Sequence, residues 1–119
     1  MNEDSRLEIT RDSVGGADVV RLRGELDLTN VDELSAAIAT TRAFGVVLDL
    51  SRVLFVDSAG VRAVDAEHAR LAGSGRFLLV VAPPASRAAW TFRIAGFSDE
   101  FVLGSLEDAS ERAASFAQS

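Results

Sequence analysis

The sequence predicts an α/β domain with a mostly parallel sheet that begins with an antiparallel hairpin. Residues 7–11 alternate apolar and polar side chains as a half-buried strand does, and Gly15-Gly16 separates them from a second strand that ends at Leu26. The strands predicted at 46–50 and 76–82 are continuously apolar over most of their length, which is typical of strands covered on both faces. Helical patterns lie between the strands, and this alternation predicts right-handed crossovers.

The spacing of capping and apolar residues predicts the first helix. Asn30 and Glu33 have the spacing of a capping box, which predicts that the first helix starts there. Val31, Leu34 and Ile38 recur at helical spacing, so we expect them to face the sheet. Residues 51–56 are interpreted as a connector between the third strand and the second helix.

The second and third helices carry apolar positions at helical spacing. In the second helix, Val61, Val64, His68 and Leu71 form one stripe, so His68 is predicted to be partly buried with its hydrogen bonds satisfied. The third helix follows Pro83-Pro84 and is expected to end at a Gly96 cap.

Trp90 and Ile94 lie four residues apart on one face of the third helix, and core packing is the prediction for both. The alternative is that Trp90 contacts a partner. A short strand at 101–103 and a last helix from Ser105 and Asp108 complete the chain. The whole pattern gives about five strands and four helices.

Length and composition predict one domain. The 119 residues have room for a single core at about 7–117, behind a short polar N-terminal tail. No stretch is apolar enough to span a membrane, and residues 1–6 lack the features of a signal peptide. We therefore expect a cytoplasmic protein, monomeric when free.

Missing residue types exclude several kinds of chemistry. The chain has no Cys and one His, and all twelve of its basic residues are Arg, so thiol chemistry, clustered His ligands and lysine chemistry are excluded. No cofactor and no metal site is predicted. A net charge of −6 argues against nucleic acid and anionic membranes as partners. It favours protein partners with a basic or neutral docking face.

Three short motifs occur in order. They are Gly24-Glu25-Leu26-Asp27 before the first helix, residues 47–51 (VLDLS) at a strand, and residues 55–61 (FVDSAGV) at the start of the second helix. Together with Gly96-Phe97 they resemble the STAS domain family, specifically the bacterial anti-sigma factor antagonists, over about residues 7–117. The resemblance implies a single STAS-like domain.

The resemblance also implies a function. In that family the domain binds an anti-sigma factor that is also a serine kinase of the histidine-kinase-like ATPase type, and so frees a sigma factor. Phosphorylation of the serine in the Asp-Ser-x-Gly motif, here Ser58, ends the binding, and a serine phosphatase restores it. The partner-binding residues implied are Asp27, Asp57, Ser58, Ala59, Gly60, Val61 and Arg62. Gly60 is expected to keep the first helical turn open to the partner.

The residue chemistry agrees with a switch at Ser58. The start of a helix has unpaired N–H groups and a positive dipole end, which accommodate a phosphate. A phosphate adds about −1.5 to −2 charge beside Asp57. The sequence departs from the family at Arg62, where many members have glycine, and at Ala59, which stands in place of a second serine. Arg62 leaves the identity of the partner open, because it can pair with a partner's acid or with the phosphate.

Structural interpretations compete with these roles. Ser58 can be a helix N-cap, and Asp27 and Asp49 can cap turns at strand ends. An enzyme is not expected. Ser58 and His68 lie about 15 Å apart along one helix, beyond hydrogen-bond reach. A phospho-aspartate receiver built on Asp49 is also not expected, because the chain has no lysine.

Two further functions stay open. One is a non-phosphorylated STAS scaffold subunit of a lipid-transport complex. The other is a regulatory domain that binds a small ligand, which nothing in the sequence specifies.

Overall fold

The computed structural model describes residues 7–117, and the predicted polar tail at residues 1–6 lies outside them. The strands are β1 (Leu7–Val14), β2 (Ala17–Leu26), β3 (Gly45–Val56), β4 (Phe77–Val81) and β5 (Val102–Leu103). The helices are α1 (Val31–Ala39), α2 (Ser58–Gly73), α3 (Arg87–Ile94) and α4 (Leu106–Ala117), with a 3-10 helix at Asp99–Phe101. No helix within residues 7–117 is long and apolar enough to cross a membrane.

The strands form one sheet in the order β1-β2-β3-β4-β5. β1 pairs with β2 in antiparallel orientation, and each later pair of neighbours is parallel. The predicted α/β fold is thus confirmed, including the hairpin at its start. In β3, Val46, Leu48 and Leu50 face one core cluster while Val47 faces the other, which explains why the run does not alternate.

The order of the strands determines where the helices lie. Each crossover from β2 to β5 moves one strand in the same direction, so right-handed connections place α1, α2 and α3 on one face. Side chains of these three helices pack in the larger core cluster with Leu26 and Leu48. α4 covers the opposite face, where Ala109 and Ala113 contact the second cluster.

The interpretation of residues 51–56 as a connector is wrong, because β3 continues through Val56. Arg52 pairs with Arg23, and Phe55 pairs with Glu25. The register shifts between Arg21 and Arg23 and again between Gly24 and Glu25. These irregularities disturb the two-residue period on which strand prediction depends.

The prediction of a capping box at the start of α1 is also wrong. Asn30 occupies the N-cap position, but its side chain makes no cap hydrogen bond. Instead its Oδ1 accepts from the Asp27 N–H and its Nδ2 donates to the Glu25 carbonyl, at 3.0 Å each. Asn30 is buried, and its amide stabilises the loop that precedes the helix.

The predicted core packing of Trp90 and Ile94 is contradicted, since their exposed fractions are 56% and 67%. α3 buries its other stripe, which consists of Ala88, Ala89 and Phe92. The two alanines let this short helix lie close to the sheet, and the Phe92 ring contacts Phe97 edge to face.

His68 is partly buried as predicted, but its hydrogen bonds are not satisfied. Its ring lies against Phe101 and Phe97, with centroid distances of 4.3 and 5.7 Å. The Nδ1 atom is buried and has no partner among the described residues. The prediction for the start of α4 is confirmed, because the Ser105 Oγ accepts from the Asp108 N–H at 3.1 Å.

Gly45 and Gly73 provide a matched test of packing. A Cβ on Gly45 would lie 2.2 Å from the Phe77 Cζ atom, and Phe44 and Phe116 hold that ring from two sides. Gly45→Ala is therefore expected to lower the free energy of unfolding by about 1–3 kcal/mol. Gly73 lies in α2, and a Cβ added to it would have no neighbouring atom within 4 Å. Gly73→Ala should therefore raise the free energy of unfolding by about 0.5–1 kcal/mol. Urea unfolding measures both, and equal effects would contradict the packing described.

Candidate functional site

The candidate site begins with the N-cap of α2, which is Asp57. Its Oδ1 accepts from the Gly60 N–H at 2.8 Å, and its own N–H donates to the Leu26 carbonyl at 3.2 Å. The other carboxylate oxygen, Oδ2, lies 3.4 Å from the Leu28 N–H. Asp57 therefore both starts the helix and links it to the end of β2 and the loop after it. A carboxylate here also interacts favourably with the helix dipole.

Gly60 faces the sheet. A Cβ at this position would lie 2.8 Å from the Val56 Cγ1 atom and 3.0 Å from the Leu26 carbonyl oxygen. The expectation that Gly60 keeps the first turn open to a partner is therefore wrong. The residue is buried, and its missing side chain allows α2 to lie against the ends of β2 and β3. Val61 is buried as well, so Gly60 and Val61 position the surface more than they form it.

Asp27 lies in the loop between β2 and α1. Its Oδ1 accepts from the Thr29 N–H at 2.9 Å and from the Thr29 hydroxyl at 2.5 Å, so it caps this turn. Leu28 between them is 71% exposed. The Leu28–Asp57 contact places this loop, which carries Asp27, beside the start of α2.

Ser58 is the first residue of α2 and is exposed. It is not the cap, because Asp57 fills that position. Within residues 7–117 the Ser58 hydroxyl has no hydrogen-bond partner, and the N–H groups of Ser58 and Ala59 have no acceptor. The site thus presents a free hydroxyl next to two free amide donors at the positive end of a helix.

Arg62 is exposed on the next turn and forms no ion pair with another described residue. It lines a groove of about 240 Å³ between the first turns of α2 and the end of α3. The lining residues are Ser58, Val61, Arg62, Asp65, Ala95, Gly96 and Phe97. Ser58 and Arg62 are four residues apart, so their side chains are neighbours on the helix surface.

Asp49 belongs to a different region. Its Oδ1 accepts from the Ser51 N–H and hydroxyl at 3.0 and 2.7 Å, and its Oδ2 lies 3.5 Å from the Arg21 Nε. These contacts agree with the predicted capping role, although the residue lies inside β3 and not at a strand end. No group of three His, Asp or Glu side chains in the described part of the chain could hold a metal ion.

Comparison with known proteins defines the family. The family model described as "Mlab, STAS domain" matches residues 9–106. The chain belongs to the STAS domain family. Comparison with curated protein sequences finds no match.

The STAS fold of this chain is shared with several solved structures. An anti-sigma factor antagonist from Mycobacterium paratuberculosis is 28% identical with a TM-score of 0.79, and the match covers 93% of this chain and 96% of that one. SpoIIAA, a Bacillus cell fate determinant, matches in its phosphorylated form at 23% identity and TM-score 0.67, over 88% of this chain and 98% of that one. A sulfate transporter family protein from Wolinella succinogenes is 17% identical with a TM-score of 0.71, and the match covers 87% of this chain and 89% of that one.

Sequence reasoning missed two features of this STAS site. One is the buried Asn30 amide that holds the β2–α1 loop, and the other is the exposed apolar surface at Leu28 and α3. Asn30 carried a signal for a turn, but its position before a helix favoured the capping interpretation. Exposure of Leu28 had no signal, because a single apolar residue in a loop has no periodicity.

Asp57 and Ser58 are expected to respond differently to alanine. Asp57→Ala removes the cap and the contact with Leu28, so the free energy of unfolding should fall by about 1 kcal/mol. Ser58→Ala removes no hydrogen bond to a described residue, so we expect a change within about 0.5 kcal/mol. Urea unfolding of the two variants measures this. A loss at Ser58 as large as at Asp57 would show that the serine is a structural cap after all.

Proposed function

We propose that this STAS domain is an anti-sigma factor antagonist. In this proposal the unphosphorylated chain binds an anti-sigma factor that is also a serine kinase of the histidine-kinase-like ATPase type, and the sigma factor is released. Phosphorylation of Ser58 ends the binding, and a serine phosphatase restores it. The domain thus acts by binding and not as an enzyme. The antagonist from Mycobacterium paratuberculosis, 28% identical over 93% of this chain, supports this role.

The observation that carries the proposal is an exposed Ser58 whose hydroxyl makes no hydrogen bond to a residue in 7–117. Asp57 already satisfies the Gly60 N–H, so modification of Ser58 removes no cap. The hydroxyl is accessible to a kinase because it lies in the first turn and not in the core.

A phosphate on Ser58 would change the charge of the surface while the fold persists. The free N–H groups of Ser58 and Ala59 can donate to phosphate oxygens, and Arg62 lies one turn away. The added charge of about −1.5 to −2 would stand beside the Asp57 carboxylate. A partner with carboxylates or apolar groups over Ser58 would be repelled or left with a buried unpaired charge. Release of the partner is the expected result.

A second candidate is a non-phosphorylated scaffold subunit of a lipid-transport complex. The family model that matches the chain is described by the name Mlab and not as an antagonist, and this favours it. In that case Ser58 would be an ordinary surface residue. Binding to a transport ATPase that is unchanged by Ser58→Glu would support this candidate.

Charge at Ser58 should control binding of the kinase. With purified anti-sigma kinases of the histidine-kinase-like ATPase class from the same genome, we expect one to bind wild type and Ser58→Ala with similar affinity. Ser58→Glu should bind at least about tenfold more weakly, since a misplaced charge at an interface costs several kcal/mol. Isothermal titration calorimetry measures the three affinities, and incubation with ATP should phosphorylate wild type but not Ser58→Ala.

The matched control is Ser13→Glu. Ser13 is an exposed serine near the β1–β2 turn, at the opposite end of β2 from the site. Ser13→Glu adds the same charge to the chain as Ser58→Glu, but far from the site. It should therefore leave the affinity for the kinase unchanged. Equal weakening by Ser13→Glu and Ser58→Glu would mean that net charge, and not the site, controls binding, and the proposal would fail.

A further inference from the structure

α3 presents an unusual surface for a short helix. Trp90 and Ile94 are four residues apart on its outer face, with exposed fractions of 56% and 67%. Arg87, three residues before Trp90, lies on the same face and is exposed. We call Arg87, Trp90 and Ile94 the α3 face. Exposed large apolar side chains grouped in this way mark interaction sites, and Trp and Arg are the residues most enriched at the centres of interfaces.

The α3 face continues from the candidate site. Ala95 and Gly96, which directly follow Ile94, form one wall of the groove whose other wall carries Ser58 and Arg62. A specific protein interface buries about 800 Å² on each partner, from about 20–30 residues. A partner that covers Ser58 must therefore extend well beyond it, and across this groove the next surface is the α3 face.

The charges on this surface indicate what the partner presents. α3 contains two arginines, Arg87 and Arg93, and no acidic residue. Neither of them, nor Arg62 across the groove, forms an ion pair with another residue in 7–117. Asp65 is the acidic side chain that lines the groove. Arg62 and Arg87 are therefore cations without an ion pair in residues 7–117 beside an apolar centre, on a chain whose net charge is −6.

We propose that the anti-sigma factor that binds over Ser58 also covers the α3 face, with an apolar pocket for Trp90 and Ile94 and carboxylates opposite Arg87 and Arg62. This inference rests on the proposed function and names the chemistry of the partner's surface. It also gives a physical reason for release, because a partner that is acidic around Ser58 repels a phosphate placed there.

The test uses the full chain and the purified kinases named above. Trp90→Ala should weaken binding about thirtyfold or more, as loss of an interface anchor does, and Ile94→Ala should act in the same direction. Arg87→Glu should slow association about tenfold at low salt, with a smaller effect at high salt. The matched control is Arg42→Glu, an exposed arginine in the loop before β3, which should change neither rate nor affinity.

The chain's single tryptophan gives a second measurement. If the kinase covers α3, Trp90 fluorescence should shift to shorter wavelength when the complex forms. Subtraction of the same titration with Trp90→Phe removes the signal of the kinase. Circular dichroism and urea unfolding of each variant separate a loss of binding from a loss of folding.

Each outcome decides the inference. Weakening by the α3 variants, with the control unchanged and the emission shifted, supports it. If Ser58→Glu weakens binding while the α3 variants bind within about twofold of wild type, the proposed function stands and this inference is overturned. If no kinase binds wild type, both are overturned. If sedimentation shows a dimer that Trp90→Ala disrupts without changing kinase affinity, a second copy of the chain covers α3 and the inference is wrong.

Discussion

The start of α2 lies so close to the ends of β2 and β3 that Gly60 has no room for a side chain. A Cβ there would approach the Val56 side chain to 2.8 Å and the Leu26 carbonyl oxygen to 3.0 Å. The Asp57 carboxylate caps the Gly60 N–H of its own helix, and this close packing places it within 3.4 Å of the Leu28 N–H in the neighbouring loop. Two loops that are far apart in sequence are thereby held as one surface, and the position of Ser58 is set by the strands beneath it.

Separation of the cap from the adjacent hydroxyl has a consequence for the proposed switch at Ser58. The helix depends on Asp57, while Ser58 contributes no hydrogen bond to the described structure. A chemical change at Ser58 can therefore alter the surface by about two charges without a large cost in folding free energy. Loss of the Asp57 carboxylate, in contrast, would remove the cap and the contact with the loop that carries Asp27. A modification site next to a cap is suited to a switch that acts on binding, because stability and recognition depend on different side chains.

Much of the fold was predictable because its signals are local. The apolar run of β3 and the Ser105–Asp108 start of α4 follow from short-range pattern and capping chemistry. The predictions that were wrong concern features that depend on tertiary contacts. α3 has two stripes that could have packed inward, and the one with small alanines and Phe92 is buried while Trp90 is left exposed. The orientation of Gly60 was equally hidden, because its neighbours in space, Leu26 and Val56, come from two strands whose relative position the sequence alone does not supply.

Net charge alone does not describe the surface around Ser58. The value of −6 favours a basic or neutral docking face on the partner, yet two of the acids near Ser58 are engaged with the chain itself. Asp57 accepts from the Gly60 N–H, and Asp27 accepts from the Thr29 N–H and hydroxyl. Carboxylates that cap turns are held in place by backbone amides, whereas a guanidinium group such as Arg62, which has no ion pair in the described part of the chain, can turn toward a partner. The charge available for recognition thus depends on which side chains the fold has already used, and this leaves Arg62 and Asp65 at the groove and Arg87 on the α3 face.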